Sequence, residues 1–117
     1  MIIVFAEDQT VSVFPDFASV RRECEAIDVE EGAYRFFDKL GRRLVPRFIT
    51  PVSRSRSLFG VRLVGGGNFE LDLDPEDKSA FETSLANVIG IVPNRWFATI
   101  QDLSRYVAEN RERENEM

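Results

Sequence analysis

The sequence predicts an α+β domain in which a mostly antiparallel sheet of about five or six strands packs with two to three helices. Short runs rich in valine, isoleucine and phenylalanine recur along the chain, several of them alternating with polar residues, which is typical of strands. Other segments place their apolar residues three or four positions apart, which is the period of a helix. With 117 residues, 44% of them hydrophobic, the chain is long enough to bury one core.

The first third of the chain predicts a hairpin followed by a helix. Two apolar runs, residues 2–6 and 10–14, flank a short polar turn, so we expect them to pair as strands. Pro15 and Asp16 follow and favour a helix start at that point. The buried face of this helix is predicted from four residues at offsets of three and four: Phe17, Val20, Cys24 and Ile27.

The middle of the chain predicts a second hairpin. Tyr34 and Phe36 share one side of its first strand. Gly41 can adopt the positive φ of a turn, after which residues 44–49 return as the second strand. Pro46 cannot donate a ladder hydrogen bond, so we expect the returning strand to lie at an edge or to bulge there.

Two further strands are predicted beyond this hairpin. A polar segment at residues 50–57 is expected to form an exposed loop or an irregular edge before the strand pattern resumes at residues 58–64. Three glycines at residues 65–67 then indicate a turn. The strand after them alternates strictly, with Phe69, Leu71 and Leu73 facing inward and Glu70, Asp72 and Asp74 facing outward.

Two helices are predicted in the last third. Asp74 and Pro75 favour the start of the first, because an aspartate cap followed by proline suits the first helical turn. Thr99 caps the second. The buried stripe of the first helix is predicted to comprise Phe81, Leu85, Val88 and Ile89. Because residues 110–117 have no apolar face, we expect a single domain over residues 1–109 and a frayed charged tail over residues 110–117.

The residue types that the chain lacks argue against catalysis. It has no histidine and one cysteine, Cys24, so the usual general base near neutral pH and the usual zinc ligands are missing. We therefore expect a non-enzyme without a metal or cofactor. An enzyme that uses Asp72 and Asp74 to hold magnesium is an alternative, although a solvated strand face that ends in a helix cap explains both residues.

Apolar run lengths bear on location. The run at residues 2–6 is too short for the core of a signal peptide, and no run reaches the ~20 residues that span a membrane. We therefore expect a cytoplasmic protein that does not bind membranes.

Charge is segregated along the chain. Residues 38–62 carry seven basic side chains and one acidic, whereas residues 1–37 carry three basic and eight acidic and residues 63–117 carry five and eleven. One hypothesis is that the basic segment binds nucleic acid or another anionic ligand, because guanidinium groups match phosphate oxygens. Its candidate residues are Arg42, Arg43, Arg47, Arg54 and Arg56, with Tyr34 and Phe37 as stacking platforms. The alternative is that neighbouring acids such as Glu30, Glu31, Glu70 and Asp72 lie across the sheet from these arginines and neutralise them.

A small, acidic, histidine-free α+β chain resembles the immunity proteins that bacteria carry against polymorphic or contact-delivered toxins, which are often basic nucleases. This resemblance implies an inhibitor that binds a basic toxin domain and covers its active or nucleic-acid-binding surface. The candidate partner-binding residues are Glu30, Glu31, Glu70, Asp72 and Glu76, together with Trp96 as an aromatic anchor.

Self-association is also predicted. Pro46 and the polar segment at residues 53–56 indicate an exposed strand edge. Such an edge can pair with another chain, so we expect either a homodimer or the addition of a partner's strand.

Overall fold

The computed structural model describes residues 1–51, 53–56, 62–65, 67–74 and 80–115, with residues 53–56 and 62–65 described as backbone. The elements are β1 (Ile2–Ala6), β2 (Thr10–Phe14), α1 (Phe17–Glu23), α2 (Ala26–Glu30), β3 (Tyr34–Asp38), β4 (Arg43–Thr50), β5 (Ser53–Arg56), β6 (Arg62–Gly65), β7 (Asn68–Leu73), α3 (Ala80–Asn87), β8 (Gly90–Ile91) and α4 (Ile100–Asn115).

Six strands form one sheet in the order β7-β4-β3-β1-β2-β8. The neighbouring pairs are antiparallel except β2 and β8, which run parallel. β5 and β6 pair with each other in a separate two-stranded sheet. The predicted α+β class and mostly antiparallel sheet are confirmed, with four helices among the described residues where two to three were expected.

The sheet has an apolar core on each face, because successive side chains of a strand point to opposite sides. Phe37 faces the core covered by α3 and α4, and Phe36 faces the core covered by α1 and α2. The first core contains Ile3, Phe5, Val11, Val13, Phe37, Phe81, Phe97, Leu103 and Val107. The second contains Val4, Val20, Cys24, Val29, Phe36 and Phe69.

Pro46 lies on an interior strand, since β4 pairs with both β3 and β7. The pairing with β3 is short, however, and includes only Leu44 and Arg43 of β4. Asp74 N donates to Arg43 O, so the backbone groups of Arg43 face β7. Because the backbone groups of successive residues point to alternate sides of a strand, the nitrogen of Pro46 faces away from β7. It points to the side of β4 on which the pairing with β3 has already ended. The predicted irregularity is present nearby, as a register shift between Phe48 and Thr50.

Other boundaries differ from those predicted. The polar segment at residues 50–57 contains the end of β4 and all of β5. The helix start predicted at Pro75 lies outside the described residues. α4 continues to Asn115, so residues 110–115, predicted to fray, are helical. The reason is tertiary, because Asn110 Nδ2 donates to Lys39 O (3.1 Å) and Arg111 Nε donates to Leu40 O (2.7 Å) in the turn between β3 and β4.

That turn depends on Asp38 and Gly41. Asp38 Oδ1 accepts hydrogen bonds from the backbone nitrogens of Leu40 and Arg42, each at 2.9 Å. Gly41 has a φ of 71°, as its predicted place in the turn requires, and a Cβ there would lie 3.1 Å from the Phe81 ring. Within the part of the chain described, no helix is both long and apolar enough to cross a lipid bilayer.

Candidate functional site

Arg47, a candidate anion-binding residue, is held by two acids of the neighbouring strand. Its Nε lies 2.7 Å from Asp72 Oδ2, and its NH2 lies 3.0 Å from Glu70 Oε2. The hydrogen bond and charge of Asp72, followed by those of Glu70, raise the pKa of Arg47 above its usual value. The predicted neutralisation across the sheet is confirmed for these three residues, so a basic partner would have to compete with Arg47 for Glu70 and Asp72.

The other basic candidates divide into three cases. Arg42 pairs with Asp38 inside its own turn, at 2.7 Å between Nε and Oδ2. Arg43 lies in β4, where its backbone pairs with Phe37. Arg54 and Arg56 belong to β5, and their side chains lie outside what the structure describes. Arg42 and Arg47 therefore already have carboxylate partners.

The aromatic residues considered for base stacking are not equally available. Phe37 is fully buried and packs edge-to-face against Phe5 and Phe81, so it cannot stack on a nucleotide. Tyr34 is half-buried on the opposite face of β3. The prediction that Tyr34 and Phe37 both serve as stacking platforms is therefore wrong for Phe37.

The candidate acids lie on two faces of the sheet. Glu70 and Asp72 alternate with Phe69 and Leu71, which pack in the core under α1 and α2, so the acids point to the opposite face. Glu30 ends α2, and Glu31 follows it, on the α1–α2 side. The predicted set is therefore split, and Glu76 lies outside the described residues.

More acids gather around Glu30 and Glu31 than the sequence analysis singled out. Glu7 N donates to Ala33 O (3.0 Å), which joins the β1–β2 turn to the loop after α2. Asp8 in that turn accepts hydrogen bonds from the hydroxyl and the backbone nitrogen of Thr10, which lower its pKa. We call this end of the sheet, with Glu7, Asp8, Glu23, Glu25, Asp28, Glu30 and Glu31, the acidic end. The density of acids in residues 1–37 was the available sequence signal.

A groove of about 480 Å³ opens on the same face, between α1 and the strands β1 and β2. Phe17 of α1 packs on Phe69, and Arg21 donates to Asn68 Oδ1 (2.6 Å), so α1 is anchored on the β7 side. A sheet of six strands is about 29 Å wide, whereas one helix is about 10 Å across. Short helices that are anchored on the β7 side therefore leave part of this face uncovered. The groove is lined by Val4, Ala6, Ser12, Val13, Phe14, Pro15, Ser19, Arg22, Glu23, Cys24, Tyr34, Val92, Pro93 and Asn94.

Burial and nearby acids act on two titratable groups of the groove, Cys24 and Tyr34. Burial, followed by the charges of Glu23 and Asp28, raises the pKa of the Cys24 thiol to about 11. Burial also raises the pKa of Tyr34, and the negative charges of Cys24, once it ionises, and of Asp28, Glu25 and Asp8 add to the rise. Cys24 is therefore a neutral thiol near pH 7 and a poor nucleophile. The carboxylates of Asp28, Glu25 and Asp8 bring negative charge to the Tyr34 end of the groove.

Trp96 lies in the loop that follows the edge strand β8, and the first residues of that loop, 92–94, line the groove. We call the exposed side chains of Ile89, Val92 and Trp96 the patch around Trp96. Asn94 Oδ1 accepts from the backbone nitrogens of Trp96 (2.9 Å) and Phe97 (2.8 Å), which fixes this loop. Trp96 remains 40% exposed while Phe97 is buried. Ile89 and Val92 flank β8 with exposures of 74% and 42%, so the prediction that Ile89 belongs to the buried stripe of α3 is wrong.

Within the described ranges, no group of three or more His, Cys, Asp or Glu side chains is placed to hold a metal ion. No family model, no curated protein and no solved structure matches the chain. The groove, the acidic end and the patch around Trp96 are the features of the described residues that bear on function.

Proposed function

We propose that this chain is a non-catalytic protein-binding module that neutralises a basic partner, in the manner of an immunity protein that covers the working surface of a nuclease-type toxin. The observation that carries the proposal is the groove of about 480 Å³ beside α1, which lies between the acidic end and the patch around Trp96. The groove combines a concave shape with the carboxylate of Glu23 and the exposed apolar side chain of Val92, features that also occur at protein interfaces.

Charge supports a basic partner on this face. Glu23 and Glu25 are exposed, and no ion pair among the described residues involves them. Carboxylates of this kind accelerate association with a positively charged protein. Glu70 and Asp72 contribute less, because Arg47 already holds them.

Apolar contacts would set the lifetime of the complex. Trp96 and Val92 expose apolar surface at the β8 edge, and tryptophan is among the residues that dominate binding energy when a partner buries it. The arrangement separates two tasks, since the acids attract the partner and the aromatic edge retains it.

Binding of nucleic acid through the basic segment is less well supported. Arg42 and Arg47 are engaged by carboxylates, and Phe37 is buried in the core. An acidic net charge of −5 would also repel a polyanion from most of the surface.

The test is affinity capture from nuclease-treated lysate of the source organism, with three forms of the chain. The parent is expected to retain one basic protein. The double variant Glu23→Lys/Glu25→Lys is expected to lose it, because it reverses the charge at the groove. The matched control, Glu109→Lys/Glu112→Lys, makes the same change in net charge on exposed positions of α4 and is expected to retain the protein.

Circular dichroism and thermal melts would establish that all three forms fold. Equal loss of the captured protein in both variants would contradict the proposed surface, since net charge alone would then explain binding. Retention of nucleic acid by the parent before nuclease treatment, with no protein left after it, would contradict the proposed function and favour the arginine segment.

A further inference from the structure

The groove beside α1 has two chemically different ends. Arg22 lines it, and its NH2 donates to Ser19 Oγ (3.2 Å) while its charge acts on Asp16 at the start of α1. Glu23 and Tyr34 also line it, and Asp28, Glu25 and Asp8 all act on the Tyr34 hydroxyl. The positive group is thus turned towards α1's N-terminus, whereas negative charge collects around Tyr34.

The side chains around Tyr34 combine an aromatic ring with carboxylates. Tyr34 is half-buried, its ring lies 6.1 Å from that of Phe36 on the same face of β3, and Cys24 beside it is buried and neutral. A planar cation can stack on an aromatic ring and direct its donors to a carboxylate at the same time. A lysine ammonium makes the charge contact without the planar stacking.

We propose that the Tyr34 end of this groove binds an arginine side chain of the basic protein partner, with the guanidinium stacked near the Tyr34 ring and paired with Glu23. The inference rests on the proposed function and adds the chemical group that enters the groove. Ser12 and Val4 form the floor beneath it, and the loop at residues 92–94 closes the side next to β8.

The test uses a small probe, so that it does not depend on knowing the partner. N-acetyl-arginine amide is titrated into the ¹⁵N-labelled chain, and amide chemical shifts are followed by NMR. We expect saturable shifts at Ser12, Tyr34 and Val92 with a dissociation constant on the order of 1 mM, which suits a ligand of this size. N-acetyl-citrulline amide, which has the same shape without the charge, is expected to bind at least roughly tenfold more weakly.

Two variants locate the binding. Ser12→Trp fills the floor of the groove and is expected to abolish the arginine-dependent shifts, whereas Ala108→Trp, at an exposed position of α4, is expected to preserve them. If Ser12→Trp does not fold, Glu23→Gln replaces it and should weaken the probe severalfold without adding volume. Equal binding of the arginine and citrulline probes, or shifts that map away from the groove, would overturn the proposal.

The outcomes also separate this inference from the proposed function. If the parent captures a basic protein but the arginine probe leaves the groove unchanged, the chain binds a partner by other contacts and the inference is wrong. If the probe binds the groove but no protein is captured, the groove recognises guanidinium and the proposed function is wrong.

Discussion

Ser84 lies on the buried face of α3, where its side chain is 2% exposed. Its hydroxyl has no hydrogen-bond partner within the described part of the chain. Burying a hydroxyl without a partner costs about 1–3 kcal/mol, and alanine is also the better helix former. We therefore expect Ser84→Ala to raise the free energy of unfolding by about 1 kcal/mol, measured by urea denaturation.

The control for that prediction is Ser104→Ala on α4, which is half-buried and shares the change in helix propensity. The gain in Ser84→Ala should exceed the gain in Ser104→Ala. Equal gains in the two variants would mean that the Ser84 hydroxyl costs the fold nothing.

Two ion pairs differ in how far the sequence predicts them. The sequence predicted that acids such as Glu70 and Asp72 neutralise arginines of the basic segment, because opposite charges on facing strands meet. The choice of Arg47 as their partner required the order of the strands in the sheet. The pairing of Arg111 with Glu82 could not be predicted, since it joins two helices whose approach depends on the whole core.

At the scale of elements, α4 clamps the turn between β3 and β4. Arg111 contributes to the clamp twice, through Leu40 O and through the Glu82 carboxylate of α3. Burial would raise the pKa of Glu82, but hydrogen bonds from Arg111 and from its own backbone nitrogen, together with the charge of Arg111, lower it below its usual value of 4.5. Ionised Glu82 therefore stabilises the folded state.

The sign of the pH dependence follows from that lowered pKa. The stabilisation is fully present above about pH 4.5 and is lost as the pH falls through the lower pKa of the folded state. Glu82→Gln is expected to be less stable than the parent at pH 7, with a difference that shrinks below pH 4.5 in thermal melts from pH 7 to pH 2. Glu109→Gln, at an exposed position of α4, should change little across the range. A difference for Glu82→Gln that does not depend on pH would contradict the ion pair.

Elements differ in how well the sequence predicts them. β1, β2 and β7 have clear patterns of period two or short apolar runs bounded by turns, and all three are present. β8 has two residues and pairs in parallel with β2, so it is too short to show a period. The helical pattern from Phe17 to Ile27 gave one face, yet α1 ends at Glu23 and α2 begins at Ala26, with no proline or glycine to mark the break.

At the scale of the whole molecule, the two helical layers are unequal. α4 has sixteen residues and packs with α3 on one face, whereas α1 and α2 on the other have seven and five. The groove is the consequence of that inequality, since two short helices cannot cover the β1–β2 half of the sheet. The sequence predicted several of the strands and helices and the excess of acids, but the groove depends on where α1 is anchored, which only tertiary packing decides.

The residues predicted to bind a partner do not form one surface. Glu30 and Glu31 lie at the end of α2 and Trp96 lies in the loop after β8, while Glu70 and Asp72 are on the opposite face of the sheet from α2 and are bound to Arg47. The sequence could supply the residue types of a binding surface but not the division between two faces. The homodimer proposed from the strand edge remains a separate prediction. Beyond Leu44 the described pairing of β4 is with β7, so the side of β4 that faces away from β7 is the edge that this prediction concerns.

The measurement that tests the central claim most directly is amide hydrogen exchange of the chain alone and in complex with the captured basic protein. We predict slower exchange on binding in α1, in β2 and across residues 92–97, because the partner covers the groove and the edge beside it. The exchange of α4 should be unchanged. Slower exchange confined to β4 and β7, with β2 and residues 92–97 unaffected, would contradict the claim and place the binding surface on the basic segment.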